Sequence, residues 1–323
     1  MISWSTSDVA GVNFGDSHIT VARMRGNKSG PLEVTHAGWG DYDPSAPEKE
    51  IATALRALWR KARLPTTAVV ASLRSSALVV RYFKYPSMPE AELWSALQLQ
   101  AEECLQLSRD ELVVDCHINK GQVLGNEKRL AGEMIEGVLA AAPTKDVDRA
   151  LSVLHMAGLD PIILDVRAMA VANLYAVLTA KREEPTICVV NLSPHSADVI
   201  VLSKSGGMYP HTVFCRASTW AESPEFLCEN IRDVMKYSEF KLDWDPVHRV
   251  YLTGDMSTQG AASPSFNSEF MAKIQTGMKL PVEVWDPLKH LVLKAKRVKE
   301  LIESHPADAA RLAPSLGLAL RRG

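Results

Sequence analysis

Cysteine is scarce and unpatterned in this chain. There are five in 323 residues (Cys104, Cys116, Cys188, Cys215 and Cys228), an odd number with no CxxC. This argues against a disulfide framework or a thiolate metal site. Most of the five fall within apolar strand or helix patterns and read as small buried hydrophobes in a reducing compartment. An excess of charge of one sign is also missing. Lys and Arg number 36 against 38 Asp and Glu, a formal net charge of −2, so no general attraction to nucleic acid or anionic lipid is expected. No segment approaches the roughly 20 apolar residues that a membrane span needs. The opening residues, Met1 to Asp8, lack a basic region followed by an apolar run and do not read as a signal peptide. The expectation is a soluble cytoplasmic protein whose contact with a membrane goes through a partner.

Among the features present, a repeated hairpin organises the rest. Val9 to Phe14 is apolar and β-branched, Gly15-Asp16 supplies turn chemistry, and Ile19 to Met24 resumes the extended pattern. Ile187 to Leu202 repeats the plan: apolar strand, Asn191, one apolar residue, a small polar turn through Ser193-Pro194-His195-Ser196, then a second β run. The period is too long for a solenoid, so the repeat predicts two similar domains facing each other. Each would offer a turn whose N–H groups could cradle a phosphate. At 46% hydrophobic and 23% charged residues, the chain has enough apolar material for two cores.

The remaining pattern is α/β. Strands are expected at Leu32 to Gly38 and Ala68 to Leu73, with a helix from Glu48 to Arg63 between them, bearing Ile51, Leu55, Leu58, Trp59 and Ala62 on one face. Ala77 to Tyr85 reads as a strand. Ser87, three residues before Glu90, reads as a helix cap, and the helix that follows has Leu93, Ala96, Leu97, Ala101, Cys104 and Leu105 on one side. Strands at Glu111 to Ile118 and Ile135 to Ala142 flank a turn-rich loop, Asn119 to Gly132. Thr144 would cap a helix that Gly158 stops. Pro161 to Val166 is a strand and Arg167 to Ala180 a helix. In the second half, strands are expected at Met208 to Arg216, Arg249 to Thr253 and Pro281 to Trp285. Helices are expected at Glu225 to Lys241, with Phe226, Ile231, Val234, Met235 and Phe240 inward, and near Ser268 to Thr276. A basic amphipathic helix would span Lys289 to Ile302.

These residues resemble the PilM family, cytoplasmic actin-like proteins of type IV pilus assembly related to the division protein FtsA, and the resemblance runs nearly end to end. Its carriers are Val12 to Thr20, Tyr85-Pro86-Ser87-Met88-Pro89-Glu90, Val138 to Pro143 with Asp148, Ala157-Gly158-Leu159-Asp160-Pro161, Val250 to Gly254, Leu280 to Val284 and Ala313 to Leu320. The resemblance implies two actin-like (ribonuclease-H-like) domains with an inserted α+β subdomain. The first domain would comprise 1–76 and 159–184, the insertion 77–158 and the second domain 185–323. The second domain would have a shortened outer lobe, because only a short loop, Ala217 to Pro224, stands where the family carries further helices.

It also implies a nucleotide site at Asn13, Phe14, Gly15, Asp16, Ser17 and His18 in the first turn. Asn191, Ser193, His195 and Ser196 would serve in the second, with Thr253, Gly254 and Asp255 beside the adenosine. Here the chain departs from the family. Asn13 and Asn191 stand where carboxylates would hold the Mg²⁺ shell, and a neutral amide is a poor substitute opposite a hard cation. Pro194 removes an N–H, and the carboxylate of Asp255 would repel phosphate. No catalytic residue and no metal ligand is assigned. ATP and Mg²⁺ are expected to be weakened or lost.

The leading expectation is an adaptor that binds the N-terminal tail of a PilN-like inner-membrane protein, with Arg81, Tyr82, Phe83 and Tyr85 in contact. Plain strand packing is the competing reading for Arg81, Tyr82 and Phe83. Other pilus assembly proteins and self-association are further candidates as partners. Two alternatives remain: an active ATPase in which Asp16 or Asp255 replaces the lost acids, and an FtsA-like filament protein held to lipid by Lys289, Lys294, Lys296, Arg297 and Lys299. His18 and His195 would face each other across the cleft but have no third ligand nearby, and read as exposed turn histidines. Asp110, Glu111 and Asp115 read as a solvated strand edge.

Overall fold

A computed structural model of the chain describes residues 9–26, 31–118, 134–180, 185–215, 220, 222–254, 266–306 and 309–321. The loop expected at Asn119 to Gly132 lies outside the described residues, as does Asp255. The first hairpin forms as β1 (Ala10–Phe14) and β2 (His18–Arg25), followed by β3 (Glu33–Asp41), α1 (Glu48–Ala62) and β4 (Ala68–Ser72). Acidic Glu48 and Glu50 stand in the first turn of α1 and basic Arg60 and Lys61 in its last, each sign matched to the helix dipole. The predicted apolar face of α1 is buried.

After β4 the chain builds β5 (Val79–Pro86), α2 (Glu90–Leu105), β6 (Leu112–Ile118), β7 (Met134–Pro143) and α3 (Thr144–Met156). It then returns as β8 (Asp160–Asp165) and α4 (Arg167–Thr179). The second half runs β9 (Ile187–Leu192), β10 (Ser196–Leu202), β11 (Met208–Phe214), α5 (Pro224–Leu242), β12 (Arg249–Gly254), α6 (Ser268–Met278), β13 (Val282–Val284), β14 (Val292–Leu293), α7 (Lys296–Ser304) and α8 (Ala313–Ala319).

The hairpin repeat is also a topological repeat. One sheet has the order β14-β3-β2-β1-β4-β8 and another β11-β10-β9-β12-β13. In each, the three strands of the hairpin side are antiparallel, and the strands that follow join in parallel. Between the parallel neighbours β4 and β8 the chain detours into a three-stranded sheet, β5-β7-β6. That sheet has its own small core under α2, made by Phe83, Leu93, Leu97, Ile135 and Leu139. Residues Val153 and Leu154 of α3 pack instead with α1 in the first sheet's core.

The helices α4 and α8 run between the two large sheets. Met169, Leu174, Tyr175, Leu312 and Leu316 share a core with Ala22 and Val34 on one side and Ile187, Val189 and Ile200 on the other. Burying one such Leu is worth about 1.5–3 kcal/mol. A Cβ on Gly317 would sit 2.0 Å from the Ala170 carbonyl oxygen, so α8 touches α4 through its backbone.

Several local expectations are corrected. The helices after Pro89 and Pro143 begin on those prolines, and neither Ser87 nor Thr144 supplies a side-chain cap. The fixed φ of proline already sets the entry to the helix. On α5 the buried stripe is Leu227, Cys228, Ile231, Val234, Ser238 and Leu242. Phe240, expected inward, is 75% exposed, because its two-residue step from Ser238 turns it off that face. Cys188 and Cys228 are buried, but Cys104 is exposed and Cys116 and Cys215 are half-buried. Burial pushes the Cys188 thiol up to about 12, as befits a structural cysteine.

The basic run is not one helix. Residues Pro287–His290 form a 3₁₀ turn, Val292–Leu293 joins β3 as a strand, and only Lys296–Ser304 is helical. Its apolar members are used in the fold: Leu291 and Val298 are buried, and Leu293 and Ile302 pack on the inter-sheet core. Among the described residues no helix is long and apolar enough to cross a membrane.

Candidate functional site

The two hairpin turns meet over the space between the sheets. In the first, Asn13 is buried, and its Oδ1 accepts the Ser72 hydroxyl at 3.0 Å while the Phe14 N–H donates to the same Ser72 oxygen at 3.0 Å. The Gly15 N–H closes the turn on His18 O, and the Tyr42 hydroxyl donates to Gly15 O at 2.7 Å. Burial pushes the Tyr42 phenol well above its ordinary range, so it stays a donor. Phe14 packs on the Tyr42 ring.

His18 turns away from the cleft. Its Nδ1 meets Ser17 Oγ at 2.7 Å and its Nε2 meets Asp41 Oδ1 at 2.9 Å, with 12% of the side chain exposed. The expectation that it is an exposed histidine facing His195 is therefore corrected: β3 supplies a carboxylate at the hairpin's outer side. His195 is exposed, and its contribution is its backbone N–H.

That N–H crosses the cleft. It donates to Asp16 Oδ2 at 3.1 Å, and the Ser196 hydroxyl donates to the same oxygen at 3.1 Å. Asp16 is thus more than a turn former, since it ties the first hairpin to the second. Behind it lies Arg167, the first residue of α4. Its Nε donates to Asp198 Oδ2 at 2.6 Å and its Nη2 to Asp198 Oδ1 at 3.1 Å. Nη2 also donates to Ser196 Oγ at 2.9 Å, and Nη1 stands 3.9 Å from Asp16 Oδ1. Burial opposes the Arg167 charge, but Asp198 and then Asp16 more than restore it, holding the guanidinium above its ordinary value. Asp198 also accepts from Asn191 Nδ2 at 3.1 Å and from Thr212 Oγ1 at 3.0 Å.

The second turn is braced from below. The Ser193 N–H donates to Ser196 O, and Ser193 O accepts the Trp220 indole N–H at 2.8 Å. Trp220 is fully buried and comes from the 215–223 link between β11 and α5. Gly254 has φ +96°, and a Cβ there would lie 2.1 Å from Leu192 O. Only glycine allows β12 to pass the second hairpin so closely. Thr253 Oγ1 and Asn191 Oδ1 are buried with no hydrogen-bond partner among the described residues. Among the described residues no group of three or more His, Cys, Asp and Glu could hold a metal ion.

A cavity of about 470 Å³ takes in Asp16, Arg167 and Asp198 and is also lined by Val79, Val80 and Arg81 of β5 and by Asp146 and Arg149 of α3. The strand β5 is an outer strand of its sheet. Of the residues expected to meet a partner, Arg81 is exposed in this cavity wall. Tyr82 is 8% exposed, crosses Trp244 edge-on at 5.5 Å and donates its hydroxyl to Glu136. Phe83 is 3% exposed in the core under α2, stacked on Tyr85, whose hydroxyl reaches Gln100. Strand packing therefore accounts for Tyr82 and Phe83 and leaves Arg81 and the half-buried Tyr85 accessible. The Asp110 and Glu111 pair lies in a 3₁₀ turn that Ser108 caps, and Asp115 is exposed on β6.

A sequence profile of the type IV pilus assembly protein PilM family matches residues 39–218, more than half the chain. The chain belongs to this family. Among solved structures it is similar to one described as a PilM-PilN type IV pilus biogenesis complex, with a TM-score of 0.74 at 20% identity, covering 98% of this chain and 99% of that one. A Bacteroides thetaiotaomicron protein of unknown function with an actin-like ATPase fold gives a TM-score of 0.49 at 10% identity, over 89% and 95% of the two chains. The cytoplasmic domain of EpsL, an inner-membrane component of the type II secretion system of Vibrio cholerae, gives 0.48 at 11% identity, over 84% and 94%. The fold of this PilM-family chain is actin-like, with two facing sheets of one plan and a third inserted into the first.

Arg167, Asp198, Ser72, Thr212 and Tyr42 are site residues that the sequence reading did not single out. Two carried a signal. Asp198 is a charge inside an otherwise apolar strand, which requires a buried partner. Arg167 is a cation in the first turn of a helix, where the dipole disfavours it. Each is explained by the other.

Proposed function

We propose that this chain is a docking platform of type IV pilus assembly that no longer works as an ATPase. In this reading it holds the N-terminal cytoplasmic tail of a PilN-like inner-membrane protein and lies in the cytoplasm, reaching the membrane only through that partner. The observation that carries the reading is the outer strand β5 in the wall of the 470 Å³ cavity, in a chain of the PilM family. An extended tail can add to such an edge by main-chain hydrogen bonds, with pockets selecting its side chains. The similar structure described as a PilM-PilN complex supports this choice of partner. Arg81, exposed beside the edge, is the side chain placed to meet the tail, with Tyr85 at its margin.

The residues present do not fit a magnesium triphosphate. The donor set between the turns offers the amides of Asn13 and Asn191 where a hard cation wants anionic oxygen. The amide of Asn13 is already engaged with Ser72, and Asn191 donates to Asp198. The cradle donors on the second turn are engaged with Asp16. Asp198 holds Arg167 by two hydrogen bonds and Asp16 faces it as an ion pair, so the guanidinium nearest the turns is already engaged.

Calorimetric titration with synthetic N-terminal tails of PilN-like proteins tests the platform. Micromolar binding that Arg81→Glu weakens supports it. Absence of tail binding, or turnover of ATP–Mg²⁺ by the same preparation, overturns it.

A further inference from the structure

The Asp16 carboxylate bridges the two hairpin turns. Two donors converge on its carboxylate from across the cleft, the His195 N–H and the Ser196 hydroxyl, each at 3.1 Å, and the Arg167 guanidinium faces it as an ion pair 3.9 Å away through Nη1. Backbone N–H, hydroxyl and guanidinium together make a usual oxyanion cradle. The carboxylate reaches it from a turn 179 positions away in sequence, held by the Tyr42 hydroxyl on Gly15 O. The side chain of Asp16 is only 13% exposed, so solvent does little to satisfy the donors in its place.

We propose that Asp16 is the chain's own occupant of this anion site. Its carboxylate latches the two hairpins together and keeps phosphate oxyanions out, so the cleft is closed without a nucleotide. Occupancy of the donors favours exclusion, although Arg74, Arg81 and Arg149 also line the cavity: Asp198 already engages Arg167 through two hydrogen bonds, and Asp16 takes both donors of the second turn. A phosphate group arriving at the same donors would meet two carboxylates at close range. Removing Asp16 frees two donors and the lesser share of the Arg167 field that Asp198 does not hold, and leaves the cradle itself intact. The inference rests on reading the cleft as a phosphate site that has lost its metal, and it does not involve the tail.

The test uses the full chain, wild type beside Asp16→Ala and Asp16→Asn. Hydrogen exchange of the peptide containing His195 reads the latch. Metal-free calorimetry with inorganic pyrophosphate reads the cradle. In Asp16→Ala the His195 amide should exchange about tenfold to a hundredfold faster, the expected loss for a charge-assisted hydrogen bond. Pyrophosphate, without detectable affinity for wild type, should then bind. Asp16→Asn retains an acceptor of the same size, so it should exchange at an intermediate rate and shows the effect even if the alanine variant folds poorly. Unchanged exchange in both variants overturns the proposal. So does pyrophosphate binding to wild type as tight as to Asp16→Ala, and so does faster exchange with no gain in binding. Wild-type turnover of ATP–Mg²⁺ is a different failure, because it would sink the docking-platform reading whatever the two variants do.

Discussion

Arg167 and Asp198 meet as a bidentate pair, Nε to Oδ2 at 2.6 Å and Nη2 to Oδ1 at 3.1 Å, with only 15% and 2% of their side chains exposed. The arginine opens the helix between the sheets and the aspartate lies on the second sheet. The pair therefore ties α4 to β10 directly beneath the hairpin turns.

Breaking one side of this pair should be costly. Asp198→Asn keeps the shape but strands a buried guanidinium, a loss of about 3–5 kcal/mol. The double variant Arg167→Met/Asp198→Leu should recover much of it, because neither charge is then left alone. Urea melts of Arg167→Met, Asp198→Leu and the double variant form the cycle. A single-variant loss under about 1 kcal/mol would contradict this account.

Tyr82 and Arg81 are neighbours on β5 with opposite expected outcomes. Tyr82→Ala empties a place in the second sheet's core beside Trp244 and should cost about 3 kcal/mol in chemical denaturation. Arg81→Ala removes an exposed side chain and should change stability by no more than about 0.5 kcal/mol, while reducing tail affinity. If Arg81→Ala leaves the tail bound as before, the tail does not use this strand.

Trp220 should behave as two separable contributions. Trp220→Phe loses the indole N–H to Ser193 O, worth about 1 kcal/mol. Trp220→Ala opens a cavity under the second turn and should cost about 3–5 kcal/mol. Thermal melts of both variants measure the difference, and equal losses would mean that the hydrogen bond carries everything.

His211 gives the pH dependence a sign. Burial, and then the Arg81 charge beside it, hold its imidazole below the usual histidine value. The unfolded chain takes up this proton before the folded one does, so the contribution to stability is present above the unfolded histidine value of about 6.5 and lost as pH falls through it. Stability measured from pH 7.5 to 5.5 should fall less steeply in His211→Asn than in wild type. Parallel slopes would show that His211 does not titrate differently on folding.

Much of the architecture was legible along the chain. The hairpins at Val12-Asn13-Phe14 and Val190-Asn191-Leu192 share a local pattern, and both sheets adopt the same strand order because that pattern sets which strands can pair. The face of α1 followed from helical spacing alone. Where the reading slipped, at Phe240 and in the run Lys289 to Ile302, apolar residues lay near a helical period that tertiary packing divided between separate elements. The site was less legible. Asn13, Asp16, Asn191 and Ser196 could be named through the family resemblance of their turns, but not what each would touch.

The sequence by itself determined the twin hairpins, the α/β layering and the compact α+β unit that follows β4. These follow from side-chain type and short-range periodicity, which any stretch of chain carries with it. Only the tertiary structure decided that Asp16 reaches His195 and Ser196, that Arg167 is shared with Asp198, and that Tyr82 faces Trp244. Such contacts join residues far apart in sequence, and their geometry exists only once both sheets have closed on α4 and α8.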